Sequence, residues 1–245
     1  MFDLSGKSAL ITGASGGIGA AIAEGLHAAG ANVGLTGTRT DVLEKAAAAL
    51  GDRAHALTAD LSDPAAAEKL AEAAETALEG VDILINNAGI TRDNLALRMK
   101  DAEWEEVLAV NLTAGFRLAR AVLRPMIKRR FGRIISITSV VGVMGNPGQA
   151  NYAAAKAGMV AMSKSLAQEV AARGITVNCI APGFIATPMT DALTDAQKET
   201  LMARIPAGRF GTGADIAAAC LYLSGDAGAY VTGQTLHVNG GMAMI

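Results

Sequence analysis

Short apolar runs that alternate with helical segments constrain the fold of this chain more than any other feature of its sequence. Because parallel strands are joined by crossover helices, this alternation is typical of an α/β domain with a doubly wound parallel sheet and helices on both faces. No linker or internal repeat interrupts the pattern, so residues 1–245 are predicted to form a single domain. The predicted strands are Ser8–Thr12, 32–36, 54–57, 81–86, 133–138, 176–180 and Thr235–Val238, seven in all. The predicted helices end at Ala29 or cover Thr40–Leu50, 64–78, 111–129, 152–172 and 214–223.

The composition excludes several classes of protein. Apolar residues make up 51% of the 245 residues and the net charge is −2, so neither disorder nor a nucleic-acid partner is expected. Cys179 and Cys220 lie far apart, which favours buried thiols over a disulfide or a metal site. No apolar stretch of about 18 residues and no signal-peptide pattern occurs, so we expect a cytoplasmic protein without a membrane partner.

A glycine-rich turn follows the first predicted strand. It contains Gly13, Ala14, Ser15, Gly16, Gly17, Ile18 and Gly19. Glycines at this position let the backbone approach a pyrophosphate, which binds at the positive end of the following helix. The spacing differs from the usual G-x-G-x-x-G fingerprint, and a plain tight turn is the alternative, but a turn between strand and helix favours a Rossmann-type dinucleotide site.

The residues after the second strand indicate which dinucleotide binds. An acidic side chain there would bind the ribose hydroxyls of NAD, whereas this chain has Thr38 and Arg39, which can accommodate a 2′-phosphate. NADP(H), that is NADPH/NADP⁺, is therefore the predicted cofactor, with a solvated Arg39 as the alternative. Two further segments are predicted to line the same pocket, because ligands bind at the carboxyl ends of parallel strands. They are Asp60 with Leu61, and Asn87 with Ala88 and Gly89.

Tyr152 and Lys156 form the predicted proton-delivery group. They lie four residues apart on a predicted helix and so share one face. We predict that the ammonium stabilises the phenolate and lowers the tyrosine pKa from its usual value of about 10. The alternative is an exposed helical pair, but the surrounding helix is apolar nearly all round, which favours burial. Ser139 ends the preceding strand at the same edge, where its hydroxyl can hold a substrate carbonyl.

Several motifs together make the chain resemble the short-chain dehydrogenase/reductase family along its whole length. They are Thr12-Gly13-x3-Gly17-x-Gly19, Asn86-Asn87-Ala88-Gly89, Asn111, Ser139, Tyr152-x3-Lys156 and Pro182-Gly183. Within the family, the chain is most similar to the 3-oxoacyl-[acyl-carrier-protein] reductases of fatty acid synthesis. That similarity rests on residues 89–95, 148–152 and 236–242.

The resemblance implies a role for each site residue. Tyr152 would donate a proton, Ser139 would position the carbonyl, and Lys156 would also bind the nicotinamide ribose. Asn111 would hold a water that links Lys156 to bulk solvent, and the backbone of Ile185 would meet the nicotinamide carboxamide. One departure weakens the NADPH prediction, because Gly16 stands where NADPH-using relatives often have a basic residue.

The resemblance also implies the substrate and the partners. The substrate would be a 3-oxoacyl thioester on an acyl carrier protein, which the basic run Lys128-Arg129-Arg130 with Arg133 could attract, although cations also suit a helix carboxyl end. The apolar Tyr152 helix and carboxyl terminus indicate a homo-oligomer, and the family resemblance indicates a tetramer. Residues 187–209 are predicted to form a mobile lid, with a plain surface insertion as the alternative. A relative that reduces acetoacetyl-coenzyme A, a sugar or a steroid, and a non-catalytic dinucleotide-binding protein, are the competing interpretations.

Overall fold

Seven parallel strands form one sheet in the computed structural model, which describes residues 2–186 and 194–245, with only the backbone of 195–198. The strand order is β3-β2-β1-β4-β5-β6-β7, which confirms the predicted doubly wound sheet. The strands are β1 (Ser8–Thr12), β2 (Asn32–Gly37), β3 (Ala54–Thr58), β4 (Ile83–Asn86), β5 (Gly132–Ile137), β6 (Ile175–Pro182) and β7 (Thr235–Val238).

Helices cover both faces of the sheet. The described helices are α1 (Gly17–Ala28), α2 (Thr40–Leu50), α3 (Ala66–Ala77), α4 (Asp101–Leu108), α5 (Ala114–Arg129), α6 (Val141–Met144), α7 (Ala150–Val170), α8 (Asp195–Met202) and α9 (Gly213–Ser224). One apolar cluster joins α1, α2 and α9 to one face, and a second joins α3, α5 and α7 to the other. Within the described residues, no helix is both long and apolar enough to cross a lipid bilayer.

The helix predicted over 111–129 begins ten residues earlier. Helices α4 and α5 are joined by a π-helical turn, Ala109–Thr113, which makes one continuous helical rod from Asp101 to Arg129. Half of the residues of α4 are acidic and only Val107 is buried, so it lacks the apolar periodicity on which the prediction depended.

The order of the strands determines where ligands can bind. Because every strand is parallel, the carboxyl ends of β1, β4, β5 and β6 lie at one edge. The two halves of the sheet meet between β1 and β4. This position is the switch point where open α/β sheets bind ligands. The predicted lid falls partly on residues 187–193, outside the described residues.

Candidate active site

The glycine turn after β1 is held closed by Asn87. The Asn87 side-chain amide donates to the backbone oxygens of Thr12 (2.9 Å) and Gly13 (3.2 Å), and its backbone N–H donates to the Thr12 hydroxyl (2.9 Å). A β-carbon on Gly19 would collide with the Gly13 carbonyl, and Gly13 itself has a φ of +66°. The turn therefore requires these glycines. Asn87 was predicted to contact the cofactor, but its amide donors are committed to the turn.

Arg39 lies against the same turn from the end of β2. Its guanidinium donates to the Ser15 carbonyl (2.8 Å) and hydroxyl (3.0 Å). A β-carbon built on Gly16 would be 3.6 Å from this guanidinium. The cation thus occupies the space beside Gly16, the position at which the sequence lacks a basic residue.

Two adjoining cavities run along this edge of the sheet. The first, about 320 Å³, is lined by Gly13, Ser15, Thr38, Asp60, Leu61 and Ala88, among others. The second, about 550 Å³, is lined by Ile18, Asn87, Ser139, Tyr152, Lys156 and Ile185, among others. Gly89 and Ile90 line both, so the two cavities form one elongated groove.

The groove fits a dinucleotide by its donors as well as its shape. The turn and the amino end of α1 supply backbone N–H groups for a pyrophosphate. In the first cavity, the Asp60 carboxylate accepts from the Ser62 backbone (2.9 Å) and hydroxyl (2.7 Å), and these hydrogen bonds hold its pKa below the usual value. Asp60 is therefore charged at neutral pH.

Ile185 lines the second cavity. The neighbouring Phe184 carbonyl accepts from Gly211 (2.9 Å), and the Ala186 N–H donates to Gly211 (2.7 Å). Neither of these hydrogen bonds uses the N–H or the C=O of Ile185 itself. The residue is thus suited to meet a carboxamide, as the resemblance implies.

Ser139, Tyr152 and Lys156 come together at the groove wall, as predicted. Ser139 follows β5, and its side chain lies in the same cavity as the phenol of Tyr152. Lys156 is only 4% exposed, and its ammonium donates to the Ile137 carbonyl (2.8 Å) and lies 5.5 Å from the Tyr152 ring centroid. The hydroxyl, the phenol and the ammonium therefore face the same cavity.

The predicted effect of Lys156 on the tyrosine is wrong for this structure. Burial raises the pKa of Tyr152, and the charge of Asp93 adds to that effect, while the Ser139 hydroxyl opposes it. Burial also lowers the pKa of Lys156 to about 8, partly opposed by the Cys179 thiol. The ammonium donates its hydrogen bond to the Ile137 carbonyl, and burial is the largest influence on the pKa of Tyr152.

Asn111 lies in the π-helical turn and clamps the loop after β4. Its side-chain oxygen accepts from the Ile90 N–H (2.7 Å), and its amide donates to the Ile90 carbonyl (2.8 Å). A β-carbon on Gly89 would be 3.2 Å from the Asn111 oxygen and 3.6 Å from the Lys156 ammonium, so these groups are neighbours. The predicted water-holding role is untested, and the contact made by the side chain is with Ile90.

Asn151 is a site residue that the sequence analysis missed. It is fully buried; its oxygen accepts from the Tyr152 N–H (2.8 Å) and its amide donates to the carbonyls of Arg92 (3.0 Å) and Glu103 (3.1 Å). These bonds tie the first turn of α7 to α4 and thereby fix the position of Tyr152. The motif was visible in the sequence, but one asparagine before a tyrosine has no distinctive spacing.

A third cavity, about 290 Å³, adjoins the groove at Ser139 and Tyr152. Its walls combine apolar and polar groups, namely Thr91, Val140, Val141, Met144, Gly145, Asn146, Gln149, Gly183, Phe184, Arg204 and Met242. The phenol of Tyr152 and the hydroxyl of Ser139 thus line both the elongated groove and the compact cavity that adjoins it. Such an arrangement can hold two reactants next to each other, both within reach of a proton donor.

The basic residues lie at the opposite edge of the sheet, with Lys128, Arg129 and Arg130 before β5 and Arg133 within it. Arg133 is buried and stacks on Phe131, and Arg129 pairs with Glu75 (3.2 Å) and Asp82 (3.7 Å). These two arginines have structural roles, so the predicted carrier-docking surface is reduced to Lys128 and Arg130.

Comparisons with known proteins agree with this geometry. A family model described as enoyl-(acyl carrier protein) reductase matches residues 13–243. Nodulation protein G from Rhizobium sp. (strain N33) and from Rhizobium meliloti (strain 1021) are 62% and 60% identical over 245 residues, the whole of each chain. The 3-oxoacyl-[acyl-carrier-protein] reductase FabG of Escherichia coli (strain K12) is 55% identical over 243 residues, 99% of this chain and 100% of that one. The chain is therefore an oxidoreductase that belongs to the short-chain dehydrogenase/reductase family, whose members bind a nicotinamide dinucleotide.

Proposed function

We propose that the protein reduces a 3-oxoacyl-[acyl-carrier-protein] thioester to the 3-hydroxyacyl form with NADPH, in fatty acid synthesis. The observation that carries the proposal is the position of Ser139 and Tyr152, which line both the dinucleotide-shaped groove and the compact cavity that adjoins it. The relative from Escherichia coli is named for this reaction. The name nodulation protein G denotes a process, so it does not bear on the substrate.

Ser139, Tyr152 and Lys156 would each have a different role in this reaction. Bound NADPH would supply the hydride. The Ser139 hydroxyl would hold the ketone oxygen, and Tyr152 would protonate that oxygen as the alkoxide forms. Because burial raises the pKa of Tyr152, the phenol is protonated at neutral pH, which is the form that a proton donor needs. Lys156 would bind the nicotinamide ribose, since its ammonium lies in the groove beside Gly89.

Arg39 supports NADPH over NADH. Its guanidinium is anchored on Ser15 at the edge of the first cavity, beside Thr38, and no carboxylate ends β2. Arginine forms charge-assisted hydrogen bonds with phosphates in a fixed geometry. We infer that Arg39 replaces the basic residue that is missing at Gly16.

The proposal is tested by NADPH oxidation with an acetoacetyl thioester, on the carrier protein and on coenzyme A, beside NADH and a crotonyl thioester. We expect reduction of the acetoacetyl substrate with NADPH preferred, and none of the crotonyl substrate, whose reacting carbons offer no oxygen to Ser139. Tyr152→Phe should lower kcat by about 100-fold or more, as expected when a general acid is removed.

The cofactor preference has its own control in the same assay. Arg39→Ser should raise the KM for NADPH at least tenfold and leave the KM for NADH unchanged, because only NADPH carries the 2′-phosphate. Reduction of the acetoacetyl substrate by Tyr152→Phe at the wild-type rate would refute the mechanism, and a preference for the crotonyl substrate would refute the reaction.

A further inference from the structure

The compact cavity next to Tyr152 contains one cationic side chain among its described lining residues, Arg204. Arg204 follows α8 and is exposed, and it forms no ion pair with another described residue. At about 290 Å³ the cavity is near the small end of ligand pockets, ~300–1,000 Å³. Its lining groups therefore lie within one small ligand's length of Tyr152.

The other long polar side chain in this cavity is already committed. The Gln149 amide donates to both oxygens of Asp93 (3.1 and 3.0 Å), and its oxygen accepts from Asn146 (3.0 Å). The side-chain amide of Gln149 is therefore already hydrogen-bonded to a carboxylate. Arg204, with five N–H donors, is the cationic group in this cavity that can bind an acceptor on the substrate.

The chemistry of a 3-oxoacyl thioester requires such a donor. Its two carbonyl groups are separated by a single methylene, so when the ketone oxygen is held at Ser139 and Tyr152, the thioester oxygen must lie in the same compact cavity. An acceptor removed from water and left without a donor costs about 1–3 kcal/mol. A cation in the cavity wall removes that penalty for a 3-oxo substrate.

We propose that Arg204 is a specificity-determining residue that binds the thioester carbonyl oxygen and so selects substrates whose ketone lies at carbon 3. This inference rests on the proposed function and deepens it. Arg204 lines the compact cavity and is not among the residues that line either cavity of the dinucleotide groove. Its loss should change substrate binding without changing cofactor binding.

The test compares two isomers, the 3-oxohexanoyl and 5-oxohexanoyl thioesters of N-acetylcysteamine, which differ only in the position of the ketone and carry no phosphate. Arg204→Met should raise the KM for the 3-oxo isomer about tenfold, the loss of one charge-assisted hydrogen bond. Its kcat for that isomer and its kinetics with the 5-oxo isomer should stay within about twofold of wild type. Arg204→Lys, which keeps a cationic donor, should restore most of the affinity.

The controls separate this role from a structural one. Lys69→Met removes an exposed positive charge on α3, outside all three cavities, and should behave as wild type. The Kd for NADPH, from cofactor fluorescence, should be the same in all variants. Equal losses with both isomers, or no loss with either, would overturn the proposal. So would a loss seen only with coenzyme A thioesters, because Arg204 would then bind a phosphate. If wild type reduces neither isomer nor the acetoacetyl thioesters, the proposed function itself fails.

Discussion

At the scale of one residue, Lys156 is buried in a position that lowers the stability of the fold but places its ammonium in the candidate active site. Its position beside Tyr152 was predicted from the sequence, because two residues four apart on a helix share a face. The direction of the tyrosine pKa could not be predicted from that spacing. It depends on where the ammonium donates, and the Ile137 carbonyl belongs to a strand 19 residues away in sequence. Burial of both groups, which depends on the whole fold, then determines the pKa of each.

Replacement of this lysine should therefore stabilise the protein. Burial lowers the pKa of Lys156 from 10.5 to about 8, which corresponds to roughly 3 kcal/mol against folding at neutral pH. Lys156→Met removes that cost but also the hydrogen bond to Ile137, worth about 1 kcal/mol. We expect the variant to be about 1–3 kcal/mol more stable at pH 7 in urea unfolding, and inactive.

The pH dependence of that difference gives a stricter test. Between about pH 8 and 10.5 the unfolded wild type binds a proton on Lys156 that the folded state does not bind, so the stability of the wild type rises with pH in this window. The variant has no such group. Its advantage should be largest below pH 8 and shrink as the pH approaches 10.5. A difference that is constant from pH 7 to 10 would show that desolvation of Lys156 is not its cause.

At the scale of elements, the sheet was predicted well and one long helix was not. Strands β1 and β4 are buried and apolar, so their runs stand out in the sequence, and the strand ends were correct to within two residues. The predicted helix was too short because half of the residues of α4 are acidic and only Val107 is buried. The π-helical turn at Asn111 has no sequence signature, since its extra residue is stabilised by a loop 21 residues away.

The clamp between Asn111 and Ile90 should affect cofactor binding. Ile90 and Gly89 line both cavities of the groove, so loss of two hydrogen bonds to Ile90 should loosen the wall on which the dinucleotide rests. Asn111→Ala is expected to raise the Kd for NADPH about tenfold, measured by cofactor fluorescence without substrate. If Asn111 acts only through a water that relays protons, kcat would fall while this Kd stays at the wild-type value.

At the scale of the whole molecule, apolar side chains remain uncovered on a single copy of the chain. Leu97 is 97% exposed, Tyr230 is fully exposed, and Met244 and Ile245 at the carboxyl terminus are 81% and 77% exposed. Helix α7 is buried along one side, and on the other Ala157 and Ala161 form an exposed stripe of small residues one turn apart. Large exposed apolar patches are typical of surfaces that bind another protein.

We propose a second copy of the chain as the partner that covers α7, within a tetramer. Small side chains let two helices approach closely, so a long cation in the stripe should prevent the contact. Ala161→Arg is expected to lower the assembled mass in sedimentation velocity, whereas Ala49→Arg, an equal change on the exposed side of α2, should leave the mass unchanged. Because Tyr152 and Lys156 lie on the same helix as Ala161, the disrupted form should also lose activity at low protein concentration. If the wild type sediments as a single chain at micromolar concentration, the proposed assembly is wrong. The exposed stripe on α7 would then have to be covered by a different protein or remain in contact with solvent.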